Sequence, residues 1–144
     1  MNEPAPTPIA RAVVGEVLGA VDVTVDEATL ATFVRRAALE GVDDLRGTRG
    51  ERYLPGGALG EAYTRPLDAA GYYYTDALQM RHEERHFRLI VVGEPLTCRD
   101  TIVEAGTTRS GLEYVDIEAV ITDGDGNAAF ISRTRLGVET APAE

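Results

Sequence analysis

The alternation of apolar and polar positions near the C-terminal end of the chain predicts a β-hairpin. Residues 112–122 and 128–138 are rich in β-branched and apolar residues, and the turn sequence Asp123–Asn127 lies between them. A register centred between Asp125 and Gly126 gives each strand one apolar face and one charged face. It pairs the following residues: Val115 with Leu136, Ile121 with Phe130, Asp116 with Arg135 and Glu118 with Arg133.

Apolar residues at helical spacing predict a helix over about residues 25–40. Thr24 and Glu27 have the capping-box spacing, with a hydroxyl at the N-cap and a carboxylate three residues later. Gly41 can adopt the left-handed conformation that ends a helix. The apolar residues of this helix share one face: Leu30, Phe33, Val34, Ala37 and Ala38.

The same spacing after Pro66, a residue favoured in the first turn of a helix, predicts a second helix over about residues 66–79. Residues 41–65 show no clear periodicity, which indicates a long irregular loop that is either functional or a disordered insertion. Residues 9–25 weakly predict a strand and its turn. The β-rich runs 86–92 and 96–104 extend the hairpin into an antiparallel meander.

A length of 144 residues, 44% of them hydrophobic, supports one globular domain. Pro- and Ala-rich ends predict flexible tails over 1–8 and 139–144 around a single domain over 9–138. A net charge of −10 repels phosphate backbones and disfavours nucleic-acid binding. The basic side chains include no lysine, which excludes Schiff-base and phosphate-loop lysine chemistry.

The sequence favours a cytoplasmic protein that does not enter a membrane. No run approaches the ~18 apolar residues of a membrane span, and Met1–Pro4 lacks the basic and apolar regions of a signal peptide. Cys98 is the single cysteine, which excludes an intrachain disulfide and fits a reducing compartment.

The two histidines, His82 and His86, are the strongest candidates for chemistry. On a strand their even spacing puts both on one face with Glu84 between them, and this arrangement could supply an acid–base group. The alternative is a solvated, charge-rich edge. A zinc site would need a third ligand, and no HExxH pattern is present, so we expect no metal and no cofactor.

Four other features have simpler structural interpretations. The turn Asp123–Asn127 resembles the start of a calcium loop. Such a loop needs a glycine at its sixth position and a bidentate glutamate at its twelfth, where this chain has Ala128 and Thr134. Cys98 is expected to be a small core residue, and Tyr72–Tyr74 are expected to pack in the core or at the surface, with one or two of them able to line a cavity. Asp43 and Asp44 could form a carboxylate pair or be merely solvated.

The order of elements resembles a hotdog fold, an α+β fold in which an antiparallel sheet wraps a central helix. Three stretches resemble the MaoC-like dehydratase/hydratase family, especially its N-terminal-type domains, many of which are non-catalytic. Val23–Leu39 is similar to the first strand-to-helix segment, and His82–Leu96 is similar to the family's His-Gly-Glu-Gln-x-Phe strand pair. Glu113–Val138 resembles the last two strands.

One motif departs from the family. Active members carry Asp-x-Asn-Pro-x-His at the entrance to a helix, and the stretch that corresponds here begins at Tyr63. Pro66 is retained, but Tyr63 replaces the Asp, Arg65 replaces the Asn and Asp68 replaces the His. The resemblance therefore implies that the usual acid–base pair is missing.

The resemblance implies that the chain binds or acts on an acyl or polyketide-type thioester, as a dehydratase- or hydratase-type lyase, and forms a homo- or heterodimer. His82, His86 or Asp68 would be the acid–base groups. Substrate contacts would come from these residues: Arg65, Arg88, Tyr73 and Tyr74. The alternatives are a non-catalytic subunit that binds the acyl chain, or a polyketide-cyclase-like enzyme with a cone-shaped α+β fold.

Overall fold

The computed structural model describes residues 5–37, 49, 51–55 and 57–139. A single 3₁₀ turn covers Ile9–Arg11. Within these ranges the helices and strands are, in chain order, β1 Thr7–Pro8, β2 Val21–Asp22, α1 Glu27–Ala37, α2 Thr64–Ala69, β3 Tyr72–Tyr73, β4 Leu78–His86, β5 Thr97–Thr107, β6 Leu112–Thr122 and β7 Ala128–Glu139.

Five strands form one antiparallel sheet in the order β2–β5–β6–β7–β4. The three long strands β5, β6 and β7 are consecutive neighbours, which is the meander that the sequence predicts. Strand β4 lies at one edge and the short β2 at the other. A separate parallel pair joins β1 to β3, so Thr7 and Pro8 of the predicted N-terminal tail are attached to the domain.

The predicted hairpin is confirmed, including its register. Strands β6 and β7 pair Val115 with Leu136 and Asp116 with Arg135, together with the other two predicted pairs. In the turn, Asp123 Oδ1 accepts hydrogen bonds from the backbone N–H groups of Asp125 and Asn127, both at 3.0 Å. Asp123 therefore organises the turn, as the simpler interpretation of this sequence predicts.

The first predicted helix is present, but its cap is a different residue. Helix α1 begins at Glu27 because Asp26 Oδ1 accepts the backbone N–H of Thr29 at 2.8 Å. The hydroxyl of Thr24, the predicted cap, instead accepts the backbone N–H of Leu96 at 3.1 Å. Helix α1 is described as far as Ala37, and the predicted end at 38–41 lies outside the described residues.

The predicted second helix over 66–79 is wrong beyond its first turns. Helix α2 ends at Ala69, and Gly71 has a φ of +82°, a left-handed conformation that ends the helix. The tyrosines that follow have high β-propensity, and Tyr72–Tyr73 form β3. Strand β4 then begins at Leu78, so the strand predicted at 86–92 lies earlier in the chain.

The predicted early strand is also mostly wrong. Between residues 9 and 25 the regular pairing with the sheet is limited to Val21–Asp22 and an isolated bridge from Val17 to Thr101, with single backbone hydrogen bonds from Gly15 to Ile102 and from Val23 to Leu96. The glycines of this stretch, Gly15 and Gly19, disfavour a continuous strand. The buried side chains Ile9, Leu18 and Val23 nevertheless anchor the segment to the core.

One face of the sheet carries the core. We call it the inner face; it is covered by residues 57–69, which consist of turns followed by α2 and which we call the central segment. Buried residues alternate along β5 and continue across the neighbouring strands. The buried inner-face side chains are Cys98, Asp100, Ile102, Val115, Ile117, Ala119, Ile121, Phe130, Ser132, Thr134 and Leu136.

The opposite, outer face carries an ionic network centred on Asp116. Its carboxylate accepts hydrogen bonds from Arg135 at 2.7 Å and from Arg133 at 2.9 Å. Burial alone would raise the pKa of Asp116, but the bonds from the two guanidinium groups outweigh it and lower the pKa. The side chain of Asp116 is only 4% exposed, so these partners replace its hydration.

Replacing Asp116 by Ala is expected to lower the free energy of unfolding by about 2–4 kcal/mol at pH 7, because two arginines lose their partner. The loss should shrink as the pH falls, because protonation of Asp116 removes the same interaction from the wild type. Urea denaturation of this variant tests the expectation, with the exposed Glu113→Ala on the same strand as control. Equal effects of the two substitutions would contradict it.

Candidate acid–base site

The inner face of the edge strand β4 carries the two predicted histidines. Because residues alternate along a strand, His82, Glu84 and His86 all point to this face. The register with β7 sets them opposite Thr134, Ser132 and Phe130 respectively. The two-residue spacing predicted from a strand is therefore confirmed, and the three side chains lie in one row on the same face.

A chain of hydrogen bonds connects the row, and we call it the His–Glu–His cluster. His82 Nδ1 lies 2.7 Å from Thr134 Oγ1, and His82 Nε2 lies 2.9 Å from Glu84 Oε1. The second oxygen, Glu84 Oε2, lies 3.1 Å from His86 Nε2. The cluster therefore runs from a buried threonine through two imidazoles and one carboxylate.

The two histidines differ in exposure and in their free atoms. The side chains of His82 and Glu84 are 18% and 23% exposed, whereas that of His86 is 46% exposed. Both ring nitrogens of His82 have partners. Within the described residues His86 makes a hydrogen bond through Nε2 alone, and its ring packs edge-on against Phe130 at a centroid distance of 4.6 Å. Of the two rings, only that of His86 therefore has a nitrogen, Nδ1, available in the described structure to contact a bound molecule.

Glu84 is ionised and able to accept from both rings. Its partial burial raises the pKa, but hydrogen bonds from His82 and His86 more than offset this, and the net effect lowers the pKa. A carboxylate only accepts, so neutral His86 donates Nε2–H to it and keeps Nδ1 as the basic nitrogen. The cluster thus fixes the His86 imidazole through Nε2.

The central segment covers the cluster. The ring of Tyr63 lies 6.2 Å from that of His82, and its hydroxyl donates to Gln79 Oε1 at 3.1 Å. Burial raises the pKa of Tyr63 to about 12, so the phenol remains a donor at neutral pH. Gly60 passes so close that a Cβ at this position would lie 3.1 Å from Glu84 Oε1.

Replacing Gly60 by Ala is expected to push the Glu84 carboxylate away from the histidines. The weaker hydrogen bonds should raise the pKa of Glu84. A titration of the side-chain carboxyl carbon by NMR measures this shift. Gly19→Ala is the matched control, because nothing lies within 4 Å of its added Cβ. An unchanged Glu84 titration in Gly60→Ala would show that the cluster tolerates the displacement.

The remaining predicted site residues do not join the cluster. Asp68, on α2, accepts the hydroxyl of Tyr74 at 2.9 Å, and it has no hydrogen bond to either histidine in the described part of the chain. Arg65, also on α2, is exposed, and Tyr73 is partly exposed on β3. The predicted groups therefore separate into the His–Glu–His cluster and a second group on and after α2.

Arg88 has a structural role in the loop after β4. Its guanidinium binds both oxygens of Glu94 at 2.8 Å, and it also reaches Asp123 at 3.1 Å. These carboxylates hold the loop against the β6–β7 turn. With three hydrogen bonds to carboxylate oxygens, the Arg88 side chain is already engaged.

Thr134, whose hydroxyl forms a hydrogen bond with Nδ1 of His82, was not identified from the sequence. Its position within the predicted strand 128–138 indicated an inner-face residue, but only the pairing of β4 with β7 shows which ring it meets. Cys98 is a buried core residue, as predicted, and burial raises the pKa of its thiol. Asp43 and Asp44 lie outside the described residues.

Within the described ranges, no group of three or more His, Cys, Asp or Glu side chains is placed to hold a metal ion. No helix in these ranges is long and apolar enough to cross a membrane.

Solved structures with the same fold include hydratases and dehydratases. R-hydratase PhaJ1 of Pseudomonas aeruginosa has a TM-score of 0.71 at 14% identity, over 96% of this chain and 93% of its own. A MaoC-like dehydratase of Rhodospirillum rubrum has a TM-score of 0.65 at 15% identity, over 94% and 98%. The HadBC (3R)-hydroxyacyl-ACP dehydratase complex of Mycobacterium tuberculosis has a TM-score of 0.66 at 16% identity, over 90% and 99%.

These similarities establish the fold. No protein-family model and no curated protein matches the sequence. The chain has the hotdog fold that its sequence resemblance implied, and not the cone-shaped alternative. At these identities the shared fold carries no activity by itself.

Proposed function

We propose that this chain hydrates or dehydrates an acyl or polyketide-type thioester and that His86 is its acid–base group. The observation that carries the proposal is the hydrogen-bonded chain from Thr134 through His82 and Glu84 to the half-exposed ring of His86. A base held in one orientation by a carboxylate is what proton transfer at a bound substrate requires. The proposed reaction needs no cofactor.

The cluster suits both directions of the reaction. In hydration, a base takes a proton from the water that attacks the β-carbon, and the α-carbon then receives a proton. His86 Nδ1 is available to take the first proton, and ionised Glu84 stabilises the imidazolium that forms. His82 and Thr134 act as positioning residues, because they fix the Glu84 carboxylate from the other side.

The second group of predicted residues completes the proposed substrate site. We propose Asp68 as a second acid–base group and Tyr73 and Tyr74 as substrate contacts. Arg65 would hold an anionic oxygen of the substrate. Arg88 is a weaker candidate for this role, because its guanidinium already binds Glu94 and Asp123.

An absorbance assay tests the proposed activity. The purified chain is incubated with a panel of enoyl and 3-hydroxyacyl thioesters while the enoyl absorbance is followed. Loss of enoyl absorbance, or its appearance from the hydroxyacyl compounds, supports the proposal. A flat trace with every member of the panel would count against catalysis by this chain alone.

A second candidate function is a non-catalytic subunit that binds the acyl chain beside an active partner. The observation that favours it is the lack of contact between Asp68 and the histidines in the described residues, which leaves the replaced motif without its acid–base pair. Solved structures of this fold include the heteromeric complexes HadBC and ChsH1–ChsH2. A subunit of this kind would bind saturated acyl thioesters yet leave the enoyl absorbance unchanged.

We also propose that the chain forms a dimer through β4. Among the described strands this nine-residue strand pairs with β7 alone, so its other edge has backbone groups that a further strand could pair with. Exposed apolar side chains flank it at both ends: Leu78, Met80, Phe87 and Leu89. The partner is a second copy or, in the second candidate function, a related subunit.

Replacing Phe87 and Leu89 by Asp is expected to make the chain monomeric, because a dimer would bury these apolar side chains. Sedimentation velocity of the wild type and of this double variant measures the change. Val13 and Val14, exposed elsewhere on the domain, provide the matched control when both are replaced by Asp. A wild type that sediments as a monomer would contradict a homodimer.

We also propose a cytoplasmic location, because the single thiol of the chain is buried and fits a reducing compartment.

A further inference from the structure

A groove of about 690 Å³ lies between α1 and the central segment. Helix α1 contributes Thr32, Phe33 and Arg36 to its lining, and the central segment contributes Leu59, Glu61 and Arg65. Gly60, which passes over Glu84, is not among the lining residues. The groove is therefore a second feature of the molecule, separate from the His–Glu–His cluster.

The floor of the groove is apolar and its rim is polar. Val23, Val25 and Leu59 are buried beneath it, and Phe33 packs partly buried at its side. The threonine hydroxyls are engaged locally, as in the bond from Thr64 Oγ1 to the Glu61 carbonyl at 2.7 Å.

Two guanidinium groups on the rim remain available. Arg36 and Arg65 are both exposed and both line the groove, and neither side chain has a hydrogen bond or ion pair within the described ranges. Glu61 is the acidic residue of the lining and forms no ion pair with either of them in those ranges. Two free cations on one groove stand out in a chain with a net charge of −10.

We propose that this groove binds an organic anion with an apolar tail. Arg36 and Arg65 would bind a carboxylate or phosphate head, because guanidinium groups match both in geometry and charge. The tail would lie over Phe33 and Leu59. A volume of this size accommodates a medium-sized ligand. The proposed site extends the substrate role proposed above for Arg65, but it does not require that His86 perform any chemistry.

Calorimetric titration of the purified chain with four eight-carbon or inorganic probes tests the site. Octanoate and octyl phosphate carry the tail with each kind of head, octanol carries the tail alone, and inorganic phosphate the head alone. We expect at least one of the two amphiphilic anions to bind about tenfold or more tightly than octanol and inorganic phosphate. The stronger of the two anions identifies the head group.

Variants locate the site. Arg36→Gln and Arg65→Gln should each weaken binding of the preferred anion about tenfold, whereas Arg36→Lys should retain part of the affinity. Arg109→Gln, in the exposed turn between β5 and β6, is the matched control and should bind like the wild type. The amide signals of Gly57 and Ala58 should shift on titration, because both residues line the groove.

Three results would overturn the proposal: no binding of either anion, equal binding of octanol, or affinities of Arg36→Gln and Arg65→Gln that match Arg109→Gln. None of them depends on turnover. Failure of this site is therefore distinguishable from failure of the proposed enzymatic activity.

Discussion

Replacing His86 by Ala is expected to lower the rate of enoyl-thioester hydration by about 10²- to 10⁴-fold, the usual contribution of a general acid–base group. His86 is the ring of the cluster that keeps a free nitrogen, and Ala removes it. The side chain is half exposed at an edge strand, so stability should change little. The initial rate of absorbance change at saturating substrate, compared with wild type, measures the effect.

Glu84→Gln extends this test. The amide keeps the size of the carboxylate but cannot stabilise an imidazolium, so activity should fall although the fold persists. Arg85→Gln is the matched control, since Arg85 is exposed on the same strand and points to the outer face. If wild type is active and His86→Ala retains its full rate, the acid–base group is elsewhere, and Asp68→Asn becomes the decisive variant.

Asp100→Asn is expected to stabilise the protein strongly at alkaline pH. Asp100 is completely buried on the inner face, and its Oδ2 has no hydrogen-bond partner in the described structure. Its other oxygen receives only a weak bond from the Cys98 thiol at 3.5 Å. Burial therefore raises the pKa of Asp100 to about 8.

The sign of the pH dependence follows from this raised pKa. The carboxyl of the unfolded chain loses its proton at pH ~4, whereas that of the folded chain keeps its proton to about pH 8. The free energy of unfolding therefore decreases as the pH rises between these values. Asn does not titrate. At pH 9 the variant should exceed the wild type by up to about 5 kcal/mol, and near pH 4 the two should be similar.

Urea denaturation at pH 4, 7 and 9 measures this difference. Asp125→Asn, in the exposed β6–β7 turn, is the control and should differ from wild type by a similar small amount at every pH. A difference between Asp100→Asn and wild type that does not grow with pH would show that the folded carboxyl has a partner at neutral pH.

The parts of the fold that could be predicted from the sequence are those in which local patterns agree. In the β6–β7 hairpin, the turn residue Asp123 and the alternation on both strands indicate the same register. The prediction of a long second helix was wrong because the residues after α2 form β3, which pairs with β1, and β4, which pairs with β7. The helical spacing of Leu67 and Tyr74 does not reveal this pairing. Gly71 was the local signal of the helix end.

The candidate site was predictable to a similar extent. That His82, Glu84 and His86 share one face could be predicted from their spacing once this segment was taken to be a strand. Thr134 could be assigned to His82 only after β4 was paired with β7, because Thr134 lies 52 residues after His82 and such contacts depend on the tertiary fold. The buried, unpartnered Asp100 had no signal in the sequence, because a single acidic residue in a strand is usually exposed.

The most direct test of the central claim is hydration of an enoyl thioester by the purified chain in D₂O, followed by analysis of the product. If the chain itself transfers the proton, the 3-hydroxyacyl product carries one non-exchangeable deuterium at the α-carbon, in one configuration, and His86→Ala yields little of it. A product that forms no faster than in buffer alone would contradict catalysis of this reaction by the chain and favour the acyl-binding subunit.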